Sequence, residues 1–341
     1  MRSHAWKIAV SLILAGLLLF VFLKGIDPHK TKEVVLQASP EWLATGLGLG
    51  IVTFLFRAMR WTWILRPVAR VRFVPAFRAT AAGFAANNLP GKVGEILRPA
   101  LLARSERLPF SPLLASVALE RVFDGASVIF YLLIALWRKP APGVSLGMLG
   151  LIPAAVLLAL VSLAAFAVFR RVQTERFLER IWRRLPLRMQ PRIEAFCATF
   201  VDGLASLKSP RLLAAIIAGS LGMWLVINLQ IYSVLRAFHL DLPVSAAFVV
   251  TSAAVLGLAV PTPGGLGSYQ AAVAETLKRA FGVAPEPAAG VAILAWLTSF
   301  VLITLIGLTM LVLFPGGPSL TEAERKKAEA DPLSAHGSGG R

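Results

Sequence analysis

Apolar residues recur along this chain in runs of about 20, the length of α-helix that crosses a bilayer, with short basic stretches between them. The runs predict full spans over about 5–26, 42–65, 113–137, 146–169, 212–238 and 288–314. Two further apolar segments, about 74–103 and 244–281, are interrupted in the middle. The first interruption reads Asn87-Asn88-Leu89-Pro90-Gly91-Lys92-Val93-Gly94-Glu95. The second reads Pro261-Thr262-Pro263-Gly264-Gly265-Leu266-Gly267-Ser268-Tyr269-Gln270. Helix breakers inside hydrocarbon leave backbone N–H and C=O groups that lipid cannot satisfy. Such breaks persist only inside protein or along a water-filled cavity. Paired breaks in corresponding places of two halves point to a transporter's binding site.

Ser39-Pro40, Ser111-Pro112 and Ser209-Pro210 each precede a span, with Ser placed to cap and Pro suited to the first turn. The N-terminus carries Arg2, His4 and Lys7 before an apolar run, as a signal sequence does. Lys24-Gly25-Ile26-Asp27 offers no small-x-small cleavage site, so an uncleaved first transmembrane helix is expected.

Basic residues set the orientation. The second loop is assigned Arg57, Arg60, Arg66, Arg70, Arg72 and Arg78. The stretch after Phe169 carries a longer series from Arg170 to Lys208, and the tail carries Arg325, Lys326 and Lys327. The opposite loops are poorer in charge. These signs agree if each interrupted segment returns to the side it entered, one from the cytoplasm and one from outside. Each half then runs span, span, hairpin, span. The prediction is an all-α polytopic membrane protein of about six full spans plus two opposed re-entrant helical hairpins in an inverted repeat. Residues 1–314 form the transmembrane domain, with halves 1–140 and 141–314 and both termini cytoplasmic. Within 171–210, Phe177, Leu178, Ile181, Trp182 and Leu185 share one helical face, and Ile193, Phe196, Phe200, Val201, Leu204 and Leu207 another. These read as amphipathic helices lying on the membrane. Residues 315–341 read as a disordered cytoplasmic tail.

Composition sharpens the class. Apolar residues make up 57% of the chain and charged ones 16%, which excludes an ordinary soluble domain. The net charge of +17 would suit nucleic acid in a soluble protein; here basic loops facing anionic lipid explain it, and no nucleic-acid motif is present. Cys197 is the only cysteine, and His4, His29, His239 and His336 lack ligand spacing. No metal site or cofactor is expected.

The candidate chemistry lies in charges within the apolar runs. Glu120, Arg121 and Asp124 stand about ten residues, or about 15 Å, into the span that begins at Ser111-Pro112. Each would cost about 2.5–3.5 kcal/mol facing lipid at the bilayer centre, so they turn inward. Arg121 and Asp124, three apart, can pair, as can Glu95 and Arg98 in the first hairpin. The candidate headgroup site is therefore Asn87, Asn88, Glu95, Arg98, Glu120, Arg121 and Asp124. In it Arg98 or Arg121 would hold a lipid phosphate through the guanidinium fork, or the ions would only lock hairpin to helix. The second break lacks charge. Its candidates are the N–H groups of Gly264, Gly265 and Gly267, with Ser268, Tyr269 and Gln270, in a turn shaped by Pro261 and Pro263. It reads as a gate, or as a turn that needs Gly for close packing.

At these residues the chain resembles the lysylphosphatidylglycerol synthase transmembrane-domain family of flippase-like membrane proteins. The resemblance rests on three ordered blocks: Asn88-Leu89-Pro90-Gly91 with Gly94, Glu95 and Arg98; Glu120-Arg121 with Asp124; and Pro261 through Gly267. It covers about 5–314. It implies a bacterial inner-membrane protein that moves lipids, anionic or polyprenyl-linked, between leaflets, and that can serve a partner lipid-synthesis enzyme. The namesake proteins carry a fused aminoacyltransferase domain. None follows Phe314, so lysyl-phosphatidylglycerol synthesis is not expected. The family often has Glu where this chain has Gln270, which removes an acid that could couple protons. Two other readings compete with a flippase. One is an integral-membrane enzyme acting on a lipid phosphate, with Glu120 and Asp124 holding a metal. The other is a non-transporting partner in envelope synthesis. No nucleophile–base set supports the enzyme, and no catalytic activity is expected.

Overall fold

The structure is a computed structural model, which describes residues 2–24, 26–88, 93–138, 155, 158–159, 162, 173, 199–200 and 202–313. Every element among them is helical. In chain order they are α1 (Arg2–Leu23), α2 (Pro28–Leu36), α3 (Pro40–Leu65), α4 (Phe73–Asn87), α5 (Gly94–Glu106) and α6 (Phe110–Arg138). A 3-10 turn (Ala205–Lys208) then leads into α7 (Pro210–Ala237), α8 (Val244–Gly257) and α9 (Ser268–Phe281). The last are α10 (Pro285–Trp296) and α11 (Leu302–Leu313), joined by the π-turn Leu297–Val301.

Pro40 and Pro210 open their helices as their Ser-Pro pairs predict. Ser209 accepts the N–H of Leu212, while Ser39 makes no such cap bond. Among the described residues, three helices are long and apolar enough to cross a membrane: Pro40–Leu65, Pro210–Ala237 and Pro285–Met310. Leu12–Leu23 and Pro28–Leu36, meeting at 81°, make a fourth if they count as one bent span. The protein is thus a multi-pass membrane protein, and among the described residues apolar length marks three or four spans, where six are expected of the whole chain. At 29 residues α6 is about 43 Å long, but three central charges set it apart from these. The predicted span 146–169, most of the segment 171–210 and the tail 315–341 lie outside the described residues. Leu47, Ile51 and Leu55 form an exposed apolar stripe on α3, as lipid contact requires.

The interrupted segments form two helical hairpins, α4–α5 and α8–α9. Their helices have 13 to 15 residues, about 20–22 Å each, short of the roughly 30 Å hydrocarbon core. Close approach of small residues shapes each one. A Cβ on Gly94 would enter the carbonyl of Gly83. One on Gly257 would stand 2.7 Å from the Ser268 carbonyl.

Helix starts recur at a nearly fixed offset. Pro40 and Pro210 are 170 residues apart, Phe73 and Val244 171, Gly94 and Ser268 174, and Phe110 and Pro285 175. Packing follows the same correspondence. Helix α4 lies on α11 as α8 lies on α6, and α5 packs on α6 as α9 does on α10. The most extensive contact is α3 on α7. Gly46 abuts Ser233, Gly50 abuts Gln230 and Gly219 abuts Trp63, so the two helices run antiparallel.

One expectation is corrected at the end of the amphipathic segment. Leu204 is buried with Ile64, Ala115, Leu119 and Ile216, and Phe200 and Leu207 pack beside it. Gly203 makes this possible, since a Cβ there would meet the Pro112 backbone. These residues contribute to the protein core instead of resting on lipid.

Candidate functional site

Four arginines and two acids assemble between α3, α5 and α6. Arg60 is 1% exposed and donates to Asp124 Oδ1 at 2.7 Å, Ser220 Oγ at 3.0 Å and Glu120 Oε1 at 3.3 Å. Arg98 donates to Glu120 Oε2 at 2.5 Å and lies 3.7 Å above the Trp61 ring, a desolvated cation–π stack. Trp61 is fixed by its own bond to Ser116 at 2.9 Å. Arg121 and Arg57 approach the other oxygen of Asp124, at 3.4 and 3.8 Å, and Arg57 rests over Phe84. Trp224 donates to Asp124 Oδ1 at 3.1 Å.

The cluster has two layers. Glu120, Arg60 and Arg98 form a buried layer of paired charges, in which Arg60 Nε and Arg98 Nε and Nη2 have no hydrogen-bond partner. Arg57, Arg121 and Asp124 face a cavity of about 470 Å³. Glu95 lines this cavity too and has no ion pair among the described residues. Asn87 Oδ1 is buried without a hydrogen-bond partner, and so is Arg57 Nε; unsatisfied polar atoms of this kind call for a ligand or water.

Both breaks reach this cavity. Asn87, Asn88 and Glu95 come from the first, and Thr262, Gly264, Gly265 and Tyr269 from the second. Residues 89–92 of the first break lie outside the described residues. Asn88 stands against Gly264, whose φ of 57° places it in the left-handed region that favours Gly. Both breaks are also tied to the π-turn region. Asn88 Nδ2 donates to the Phe300 carbonyl at 3.3 Å and to Thr304 Oγ1, and Trp296 Nε1 donates to the Gly264 carbonyl at 2.8 Å. π-turns inside helices are frequent at functional sites.

The predicted residues therefore divide. Arg121, Asp124, Glu95, Asn87 and Asn88 line the cavity. Arg98 and Glu120 do not; they lie behind it, so the groove is not lined by Arg98 as expected. The predicted pair Glu95–Arg98 is not formed, because Arg98 is turned to Glu120. Gly264, Gly265 and Tyr269 reach the cavity, whereas Pro261, Pro263, Gly267, Ser268 and Gln270 are not in its lining. Nor does the second break offer the expected row of free donors. Gly265 N–H bonds the Thr262 carbonyl, and Gly267 N–H bonds Gln270 Oε1 at 2.8 Å. Ser268 bonds Thr262 and the Gly265 carbonyl. Gln270 is thus a cap for α9.

Arg57 and Arg60, expected in a loop, are instead cluster members inside α3. The connection to α4 retains Arg66, Arg70 and Arg72. A signal was available, since the apolar run continues through Trp61, Ile64 and Leu65 beyond both arginines. Among the described residues, no three His, Cys, Asp or Glu side chains gather as a metal site would require.

The family described as the lysylphosphatidylglycerol synthase TM region matches residues 6–307. The "UPF0104 membrane protein MJ1595" of Methanocaldococcus jannaschii is 21% identical over 332 residues, covering 92% of this chain and 97% of that protein.

Proposed function

This chain belongs to the lysylphosphatidylglycerol synthase TM region family, and from that premise we propose that it moves a phosphate-bearing lipid between membrane leaflets. The observation that carries the reading is one cavity of about 470 Å³ reached by both broken hairpins and charged at one end. A headgroup phosphate would be held by Arg121, which keeps 41% of its side chain exposed, and by Arg57, while acyl chains remain in lipid. Asp124 orients both arginines. Glu95 and Asn87 complete the polar wall. Arg60, Arg98 and Glu120 are positioning residues that fix α6 against α3 and α5.

The fixed offset of helix starts and the antiparallel α3 and α7 support an inverted repeat. In it α4–α5 and α8–α9 are re-entrant hairpins from opposite sides and α6 is a full span; the sixth span expected from the sequence, 146–169, lies outside the described residues. The basic connection 66–72 supports cytoplasmic termini, in a bacterial inner membrane. The lipids in this reading are anionic or polyprenyl-linked. The alternative of a metal-dependent lipid-phosphate enzyme is disfavoured by one arrangement: Glu120 is held by Arg60 and Arg98, and Asp124 is flanked by Arg57, Arg60 and Arg121, whose positive charge opposes a metal ion.

Translocation of fluorescent phospholipid in proteoliposomes tests the reading. Wild type should accelerate loss of the inner-leaflet protection of the label. Arg121→Ala and Arg57→Ala should each slow it about tenfold or more, the loss of one charge-assisted bond. Unchanged rates in both variants, with normal incorporation, would sink the assignment.

A further inference from the structure

The charged end of the cavity has a neutral counterpart. The 170-residue offset between α3 and α7 carries Arg60 onto Gln230, and the 175-residue offset between α6 and α10 carries Asp124 onto Ser299. Where Arg60 donates to Asp124, Gln230 Nε2 donates to Ser299 Oγ at 3.3 Å. Ser220 stands beside Arg60, and Gly50 beside Gln230. The geometry is repeated with its charge removed. Gln230 and Ser299 both line the cavity, with Gly50 and Arg57 of α3 seven positions, or about 10 Å, apart along its wall.

Two further side chains there lack partners. Thr53 Oγ1 and Thr251 Oγ1 are buried and make no hydrogen bond; each residue is 4% exposed and each lines the cavity. Threonine in a helix ordinarily returns its hydroxyl to a carbonyl one turn back, as Thr276 and Thr298 do here. A buried hydroxyl left unpaired in the wall of a cavity is set for a ligand atom or water.

We propose that Gln230, Ser299, Thr53 and Thr251 form a second, neutral subsite, which hydrogen-bonds an uncharged, hydroxyl-bearing extension of the lipid headgroup. The substrate class is then a phosphodiester lipid carrying a polyol or sugar. This rests on the reading of the charged end as a phosphate site. The chemistry selects hydroxyls because each one donates and accepts, as an amide and three hydroxyls require. A charged extension would find no counter-ion among Gln230, Ser299, Thr53 and Thr251 themselves.

The test uses purified full-length protein and three lipids of equal charge: phosphatidylmethanol, phosphatidylglycerol and phosphatidylinositol. Dissociation constants are read by native mass spectrometry from one detergent. Phosphatidylinositol should bind about tenfold tighter than phosphatidylmethanol, the worth of two ordinary hydrogen bonds, with phosphatidylglycerol between them. Thr53→Val with Thr251→Val should abolish that preference while phosphatidylmethanol binding and the thermal midpoint stay as in wild type. Gln230→Leu should do the same. Arg121→Ala should weaken all three lipids together. Equal wild-type affinity for phosphatidylmethanol and phosphatidylinositol overturns the neutral subsite alone. So does a threonine double variant that loses its fold or weakens all three alike. If none of the three lipids binds, the phosphate-site reading fails and takes the neutral subsite with it.

Discussion

Replacing Arg60 by Met tests whether the buried layer holds the helices together. Arg60 is 1% exposed and bridges α3 to both acids of α6 and to Ser220 of α7. Met keeps an unbranched apolar stem out to about the Nε position and removes the guanidinium with its charge. Taking one partner from a buried ion pair costs about 3–5 kcal/mol, because the other charge stays buried. Here the acids retain other partners: Glu120 keeps Arg98 at 2.5 Å, and Asp124 keeps Arg121 at 3.4 Å and Trp224 at 3.1 Å. The lower end, about 3 kcal/mol or a hundredfold in the folding equilibrium, is therefore expected. Reversible unfolding in mixed micelles, followed by circular dichroism, measures it. A cycle with Asp124→Asn should return a coupling of about 1–3 kcal/mol. Arg121→Met is the control, since its half-exposed pair is worth less than about 1 kcal/mol. An Arg60→Met loss below about 1 kcal/mol, or equal losses in the two variants, would refute the two-layer description.

Gly94→Leu should prevent the first hairpin from closing, since Gly94 has no room for a Cβ against Gly83; loss of folded protein on size exclusion is expected, and full recovery would contradict the packing. Gln270→Ala should cost about 1 kcal/mol through loss of the α9 cap, whereas Gln270→Glu, which keeps the acceptor, should stay near wild type in thermal unfolding. Asn88→Ala should raise hydrogen exchange at Leu297–Val301, because the side chain that holds the Phe300 carbonyl is gone. Unaltered exchange there would show that the tie does not constrain the turn.

Legibility differed between backbone and side chains. The hairpins were visible because Pro and Gly stand inside apolar runs, and Ser-Pro pairs marked two helix starts. The charge cluster was half visible. Glu120 and Asp124 sit in a run whose other residues leave no doubt that they are interior. Arg57 and Arg60 stand nearer the end of theirs and resemble a basic loop. Only their partners reveal the difference, and those come from α6, beyond the reach of local pattern. Arg98 was identified, but not that Trp61 and Glu120 turn it away from the cavity. Gln270 looked like a vacancy left by a missing acid; the N–H of Gly267, three residues earlier, shows it has a complete job as an acceptor. The amphipathic face ending at Leu207 could equally meet lipid or protein, since both are apolar. Gly203 decides for protein at its end, by admitting the α6 backbone.

The two hydrogen-bond ties onto the π-turn region have a consequence for leakage. A carrier that opens to both sides at once becomes a pore and dissipates ion gradients. Here the first break is tethered through Asn88 to Phe300 and Thr304, and the second through Trp296 to Gly264. Both tethers end within nine residues of one helix, 296–304. Freeing both breaks together would strip both sets of bonds from the same stretch of backbone, whereas freeing one leaves the other anchored. In the proposed transport reading, the wide turn would act as an interlock, and the shared wiring between the hairpins would keep the membrane seal without a separate plug.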